Sequence, residues 1–271
     1  MTFTDRTLKS VAKPPKLPQF AKNRIILTKL KLRLYRLAGG QIVNFLHIPK
    51  AGGSAVKNAL RDHTELKRYK IHLRGHSCRL NDIPVGDKFF FFLRSPEKRF
   101  VSAFNGKQVD PNRWRHTKYA EETAALERFT TANQLAESLS STDAEVRQAA
   151  EQAMLCIEHV NTFYTDWFIS KDYFLSRLPD ALYIGFQESL AEDFKNIKQI
   201  LGLAASVSLP ALNSPKSNAR ANKSLQPPDT TLTEQAMANL AQWYANDYDF
   251  IALCREQAVK VNQQAMASTK L

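Results

Sequence analysis

The stretch Lys88–Leu93, KFFFFL, running directly into Arg94-Ser95-Pro96, constrains the fold more than any other part of the chain. Successive side chains of a strand point to opposite faces, so four consecutive phenylalanines need apolar cover on both. Such a strand sits in a sheet sandwiched between helices, where neighbouring strands run parallel and helical crossovers join them. The serine–proline pair then opens a helix, with Ser95 as N-cap and Pro96 at its first position.

The rest of the chain reads the same way. Gln41–His47 is a strand ended by Pro49, followed by a helix over Ser54–Asp62; Tyr69–Leu73 is a weaker strand and Ala181–Phe186 a further one. Helical periodicity covers residues 119–140 and 142–178. Ser189 and Glu192 form a capping box before a helix with Leu190, Phe194, Ile197 and Leu201 on one face and Gly202 at its end. Thr231 and Glu234 form a second box, opening one long helix to about residue 262, and residues 203–230 between the two are a loop. Strands alternating with helices imply a single α/β domain with a central, doubly wound parallel sheet flanked by helices. A chain of 271 residues, 44% hydrophobic, can supply its core.

The net charge of +12 is concentrated at one end. The first 36 residues hold ten lysines and arginines against the single acid Asp5, and the remainder holds 28 basic against 25 acidic groups. A nucleic-acid partner, which calls for basic residues through the body, is therefore not expected. The expected organisation is a basic N-terminal extension over residues 1–40, its first 23 residues a flexible lead-in, and a domain over 41–265. The extension suits peripheral contact with an anionic membrane or polymer. Within it Leu30, Leu32 and Leu34 alternate with Lys29, Lys31 and Arg33, a pattern open to an edge strand or to a basic interfacial helix. No apolar run is long enough for a signal peptide or a membrane span. Cys78, Cys156 and Cys254 are far apart with no CxxC pair, so neither disulfides nor zinc are expected, and a reducing cytoplasm is the natural compartment.

Two stretches carry chemistry. In FLHIPKAGGSAVKNAL, residues 45–60, a strand turns through Pro49–Gly53 into a helix that begins at Ser54. Gly52 and Gly53 let the backbone approach a ligand, and the helix amides present the positive end of its dipole, an anion cradle beside which Lys50 adds a full charge and Ser54 a hydroxyl. The ATPase pattern GxxxxGK[ST] is absent, because the lysine precedes the glycines. In FFFFLRSPEKRFVSAFNG, residues 89–106, Arg94 stands at the carboxyl end of the buried strand, where open α/β sheets bind ligands, with Ser102 eight residues on. Phosphate sites on two strand ends of one sheet ask for a nucleotide phosphorylated at two separate positions.

HIPKAGGS, LRSPEKRFVSAF, YIGFQESLAEDFKNIKQILGL and WYANDYDF together resemble the PAPS-dependent sulfotransferases, in particular the carbohydrate and heparan branch and its bacterial relatives, over residues 41 to 252. The resemblance implies a P-loop-like sulfotransferase fold and 3′-phosphoadenosine 5′-phosphosulfate (PAPS) as donor, with 3′,5′-adenosine bisphosphate as product. It implies that Lys50, Ala51, Gly52, Gly53, Ser54 and Ala55 bind the 5′-phosphosulfate and that Arg94 and Ser102 bind the 3′-phosphate. Ala51 and Ala55 stand where relatives carry hydroxyl residues, removing two side-chain hydrogen bonds but leaving the backbone cradle.

For catalysis, Lys50 is placed to stabilise the leaving group, and the basic cradle requires no metal. The resemblance also points to His76 as general base, in a Gly-His turn, with His47 as the alternative or as a support for the cradle. His72 faces the same cleft if its strand runs as drawn, and His63, His116 and His159 are assigned to surface or packing. Arg113, Trp114 and Arg115 combine cations with an aromatic ring, a pattern open to an acceptor wall against a sugar face or to a solvated helix end; a hydroxyl-bearing acceptor, a saccharide or glycolipid, is the partner that goes with the resemblance. The rival readings are a P-loop-like kinase and a nucleotide-binding protein without transferase activity.

Overall fold

The structure is a computed structural model and describes residues 27, 30–108, 120–211 and 229–268. The chain divides into two units, Met1–Gly40 and Gln41–Leu271. In the first, residues 30–37 are helical, so the alternation of leucine with basic residues there is that of a helix and not of an edge strand. The helix closes in a turn where the Gly39 and Gly40 amides donate to the Arg36 and Tyr35 carbonyls, each at 2.9 Å.

The second unit is a single α/β domain. Its strands β1 (Gln41–Leu46), β2 (Tyr69–Leu73), β3 (Lys88–Leu93) and β4 (Ala181–Phe186) form one parallel sheet in the order β2-β1-β3-β4. Among the described residues its α-helices, in chain order, are α1 (Gly53–Leu60), α2 (Pro96–Gln108), α3 (Ala120–Arg128), α4 (Ala132–Ser138), α5 (Ala144–Cys156), α6 (Thr165–Phe168), α7 (Lys171–Ser176), α8 (Leu190–Leu201), α9 (Glu234–Trp243) and α10 (Ala245–Ala267).

The phenylalanine run behaves as its alternation demands. Phe89 and Phe91 pack on one face with Leu46, Ile184, Phe168, Phe174 and Phe250, under α6, α7 and α10. Phe90 and Phe92 pack on the other with Val43, Phe45, Val56, Phe194 and Ile197, under α1 and α8. A third core is helical and lies off the sheet: Phe100 and Phe104 of α2 meet Leu135, Ala150, Met154, Leu240 and Tyr244. β4 is an edge strand, and its exposed backbone is covered by one side chain: the Ile184 amide donates to Asn262 Oδ1 (3.0 Å), and Asn262 Nδ2 donates to the Ile184 carbonyl (2.9 Å).

Several local expectations are corrected. The pattern over 142–178 is three helices, because the chain from Ile157 to Tyr164 is drawn into a turn held by a buried arginine described below. The C-terminal helix is broken at Tyr244, which buries its ring in the helical core while Phe250, Ile251 and Cys254 bury in the sheet core; the break lets one amphipathic segment serve two cores. Its N-cap is Thr233, not Thr231: Thr233 Oγ1 accepts from the Ala236 amide (3.2 Å) and donates to Glu137 (2.6 Å), a tertiary contact that selects the cap. At α8 the Ser189 hydroxyl does not cap the helix but donates to Asp193 (2.7 Å), which also accepts from the Phe186 amide (2.7 Å) and the Tyr183 hydroxyl (2.8 Å). Ser95 opens α2 through its carbonyl alone, which accepts from the Arg99 amide (2.9 Å).

Phe91 is fully buried against Phe168 and Phe174, with ring centroids at 4.7 and 6.0 Å. Phe91→Ala is expected to lower unfolding free energy by about 3 to 5 kcal/mol in urea denaturation.

Candidate active site

The sheet order places the site. From β1 the chain goes to β2 on one side and returns to β3 on the other, so the carboxyl ends of β1 and β3 flank a crevice at the point where the winding reverses. The Pro49–Gly53 turn leaves one of these ends and Arg94 the other. They touch: Arg94 Nη1 donates to the Lys50 carbonyl at 3.4 Å.

The turn is built for close approach. Lys50 itself adopts a left-handed conformation, φ 64°, which an ordinary residue reaches only at a cost and which tends to occur where geometry serves a site. Gly52, the N-cap of α1, is also left-handed (φ 80°), offers no side-chain cap, and is followed by a first turn without an acid, so the helix's own residues leave its positive end unneutralised. At Gly53 a Cβ would lie 2.2 Å from the His47 ring, so the glycine is required by the histidine packed beneath the turn. Ala51 is buried, and Ser54 and Ala55 are half-buried.

The Lys50 ammonium reaches across to α2, where a Cβ at Gly106 would stand 2.5 Å from its Nζ. Burial lowers its pKa, with Lys107 and Arg94 adding and Glu158 opposing. Lys107 is buried and is held by Glu158 (2.6 Å) and Glu122 (3.1 Å), an arrangement that keeps a second cation close to Lys50 without its facing the crevice unpaired.

Three histidines gather beside the lysine. His47 is buried, and its ring lies 4.0 Å from that of His76, which is in turn 6.0 Å from His159. His76 is exposed and held at both ends: its Nδ1 bonds the His47 carbonyl (3.2 Å), and its own carbonyl accepts from Trp167 Nε1 (2.7 Å). A carbonyl can only accept, so Nδ1 carries the proton and the lone pair of the neutral ring resides on Nε2. Partial desolvation of the ring lowers the His76 pKa, against the pull of its bond to the His47 carbonyl, keeping that lone pair available at neutral pH. His47 Nδ1 is buried without a hydrogen-bond partner.

His159 was assigned to surface or packing from the sequence; the structure instead brings it into the cluster, in a left-handed turn (φ 69°) whose carbonyl accepts from Thr162 Oγ1 (3.0 Å) and Arg99 Nη1 (3.4 Å). Nothing local flagged it, because its neighbours in space come from β1, the turn after β2, and α2. His72 lies within β2, in register with Asn44.

Around Arg94 the turn is fixed by backbone contacts. The Tyr164 hydroxyl bonds both the Arg94 carbonyl and its amide, and the Ser95 amide donates to Glu188 (3.0 Å). Glu188, from the stretch YIGFQESL, thereby supports the β3 exit. Arg94 Nε and Ser95 Oγ are buried without partners. Arg94 also lines a cleft of about 450 Å³ with Glu97, Lys98, Val101, Thr230, Leu232 and Met237. Ser102 is half-buried on α2, one turn beyond Lys98. Arg113, Trp114 and Arg115 lie outside the described residues, as do His116 and most of the 203–230 loop. Among the described residues no group of three His, Cys, Asp or Glu side chains is arranged to hold a metal.

The histidine cluster makes stability pH-dependent. Burial, with His76, Lys57 and His159 adding, pushes His47 down to about 3; burial, against the pull of Glu158, pushes His159 down to about 4. An unfolded histidine takes its proton near about pH 6.5, so the unfolded chain binds protons that the folded one refuses below that pH. The stability these two histidines contribute is therefore full above about pH 6.5 and lost as pH falls toward 4 and then 3, while Asp247, pushed up to about 6 by burial, acts in the opposite sense. Urea midpoints at about pH 7.5 and about pH 5 are expected to differ in the direction the histidines set, and His159→Gln to narrow the gap.

A family model described as the sulfotransferase family matches residues 35–251. No curated protein and no solved structure matches the chain.

Proposed function

The chain belongs to the sulfotransferase family, and from that membership we propose that it moves a sulfuryl group from PAPS to a hydroxyl of a saccharide or glycolipid acceptor, releasing 3′,5′-adenosine bisphosphate. The observation that most supports this reading is the contact of Arg94 with the Lys50 carbonyl, which brings the two proposed anion-binding motifs together at the reversal of the sheet. A donor with phosphates at two positions fits such a pair of sites, and the partnerless Arg94 Nε and Ser95 Oγ are groups that a phosphate would satisfy.

In this reading Lys50, the backbone from Ala51 to Ala55 and the Ser54 hydroxyl hold the 5′-phosphosulfate at an uncapped helix start. Arg94 and Ser102, joined by Ser95, hold the 3′-phosphate. Val101, Leu232 and Met237 give the adjoining cleft the apolar wall that a nucleoside needs, in a volume of ordinary size for such a ligand.

The bound donor supplies an activated sulfuryl group on a phosphate leaving group. Lys50 places a positive charge where that leaving oxygen gains charge. His76 takes the proton from the attacking hydroxyl through Nε2, the nitrogen its bond to the His47 carbonyl leaves free. His47, buried under it and against Gly53, orients the ring and the cradle together, and is too enclosed to meet an acceptor itself. Arg113, Trp114 and Arg115 are proposed as the acceptor wall. The domain is assigned to residues 41–265, with residues 1–40 a basic extension that meets an anionic surface. The three cysteines are free thiols, which agrees with a reducing compartment such as the cytoplasm, and no helix among the described residues is long and apolar enough to cross a membrane.

The test is thermal stabilisation by 3′,5′-adenosine bisphosphate compared with ATP and magnesium. Selective stabilisation by the bisphosphate is expected, with Arg94→Ala abolishing it; preference for ATP and magnesium points to a kinase, and indifference to both to a protein without this donor site. With an acceptor found by screening saccharides against radiolabelled PAPS, His76→Ala is expected to leave bisphosphate binding intact and to cut turnover by roughly 10² to 10⁴-fold. Gly106→Ala separates catalysis from folding. It removes a glycine from a helix, which raises stability by roughly 0.5 to 1 kcal/mol, while its methyl group displaces the Lys50 ammonium and lowers kcat; unchanged kcat in that variant would show that the ammonium does not act from this position.

A further inference from the structure

The helical stretch in the first unit carries a feature that the transfer reaction does not use. Leu27, Leu30, Leu34 and Leu37 are 56%, 50%, 57% and 76% exposed. Spaced by four and three residues, Leu30, Leu34 and Leu37 form one stripe along the helix over residues 30–37. Lys31 and Arg33, both exposed, flank the stripe on either side at helical spacing, and Leu32, on the opposite side, is buried. The helix therefore has one packed side and one open apolar side edged with positive charge. Three of the four leucines precede residue 35, where the family match begins, so family membership does not account for them.

We infer that this stripe is the element by which the protein sits on an anionic lipid surface. An apolar strip in water is costly unless covered, and a strip rimmed by lysine and arginine is matched by a surface that offers negative headgroups at its edge and acyl chains beneath. The ten basic residues against one acid over residues 1–36 extend that match. A soluble polyanion would engage the charges but leaves the leucines uncovered. A second copy of the helix would cover the leucines but brings the basic rims of the two copies together. Lipid is the one covering that uses both. This sharpens the anionic-surface role given to the extension and is independent of the donor site: the chain could fail as a sulfotransferase and still bind lipid, or the reverse.

The test is co-sedimentation of the full chain with vesicles of phosphatidylcholine alone and of phosphatidylcholine with phosphatidylglycerol. Binding to the mixed vesicles is expected, with little to phosphatidylcholine alone. A Leu30→Ser, Leu34→Ser double variant is expected to lose about tenfold or more in vesicle affinity, while its thermal unfolding midpoint without ligand is unchanged, which shows that it is folded. Lys31→Glu with Arg33→Glu is expected to remove the preference for anionic vesicles. Three results overturn the proposal: no binding to either vesicle, binding that survives loss of the leucines and so is purely electrostatic, or a dimer in sedimentation that the leucine variant converts to monomer.

Discussion

The guanidinium of Arg99 is the interaction on which the site depends. It is almost wholly buried at the start of α2 and donates to the Thr162 carbonyl (2.6 Å), Thr162 Oγ1 (3.0 Å), the His159 carbonyl (3.4 Å) and Asp247 Oδ2 (3.0 Å), while its carbon lies 5.0 Å from the centre of the Tyr164 ring. The other Asp247 oxygen accepts from the Tyr164 amide (2.8 Å). One cation thus joins α2, the turn after α5 and the start of α10. Charges this far from water are stable only with close partners, and removing one partner strands the other; of the three guanidinium nitrogens Nε alone is left without one. The consequence reaches the crevice from both directions: the turn held by Arg99 carries His159 into the histidine cluster, and Tyr164, fixed by the same network, clamps the backbone of Arg94.

A second network sets the electrostatics of the crevice. Lys50, Lys107 and Arg94 bring three cations close together, and the carboxylates of Glu122 and Glu158 are spent on Lys107. Lys50 and Arg94 stand just beyond the ends of β1 and β3, Arg94 with Glu188 and Glu97 nearby, beside a helix whose first turn holds no acid. The same field, with burial, keeps the histidines neutral, so one arrangement favours both an arriving anion and a ring able to accept a proton. The strained backbone at Lys50 and His159 belongs to the two sides of this region.

Much of the architecture was legible because it depends on short-range pattern. The phenylalanine run demanded two covered faces, and the glycine turn with its lysine demanded a strand before it and a helix after it. The caps follow contacts that propensity does not encode: Thr233 takes the place of Thr231 through Glu137, about a hundred residues earlier, and the Ser189 hydroxyl turns to Asp193, one turn along its own helix. His159 was passed over for the same reason. It looked like one more histidine in a helical stretch, and only Arg99, sixty residues earlier in the chain, turns it inward.

By itself the sequence determined the class of the domain, the strand–turn–helix at Lys50–Gly53 proposed as an anion cradle, and the candidacy of Arg94, because periodicity, glycine sterics and a cation at a strand end act over a few residues. Only the tertiary structure decided that the two motifs share one crevice, that the Nδ1 proton of His76 points to the His47 carbonyl, that Gly106 leaves room for the Lys50 ammonium, and that the leucines near the N-terminus form an open stripe. Those are statements about which surfaces meet, and they follow from strand order and buried ion pairing between segments distant in the chain.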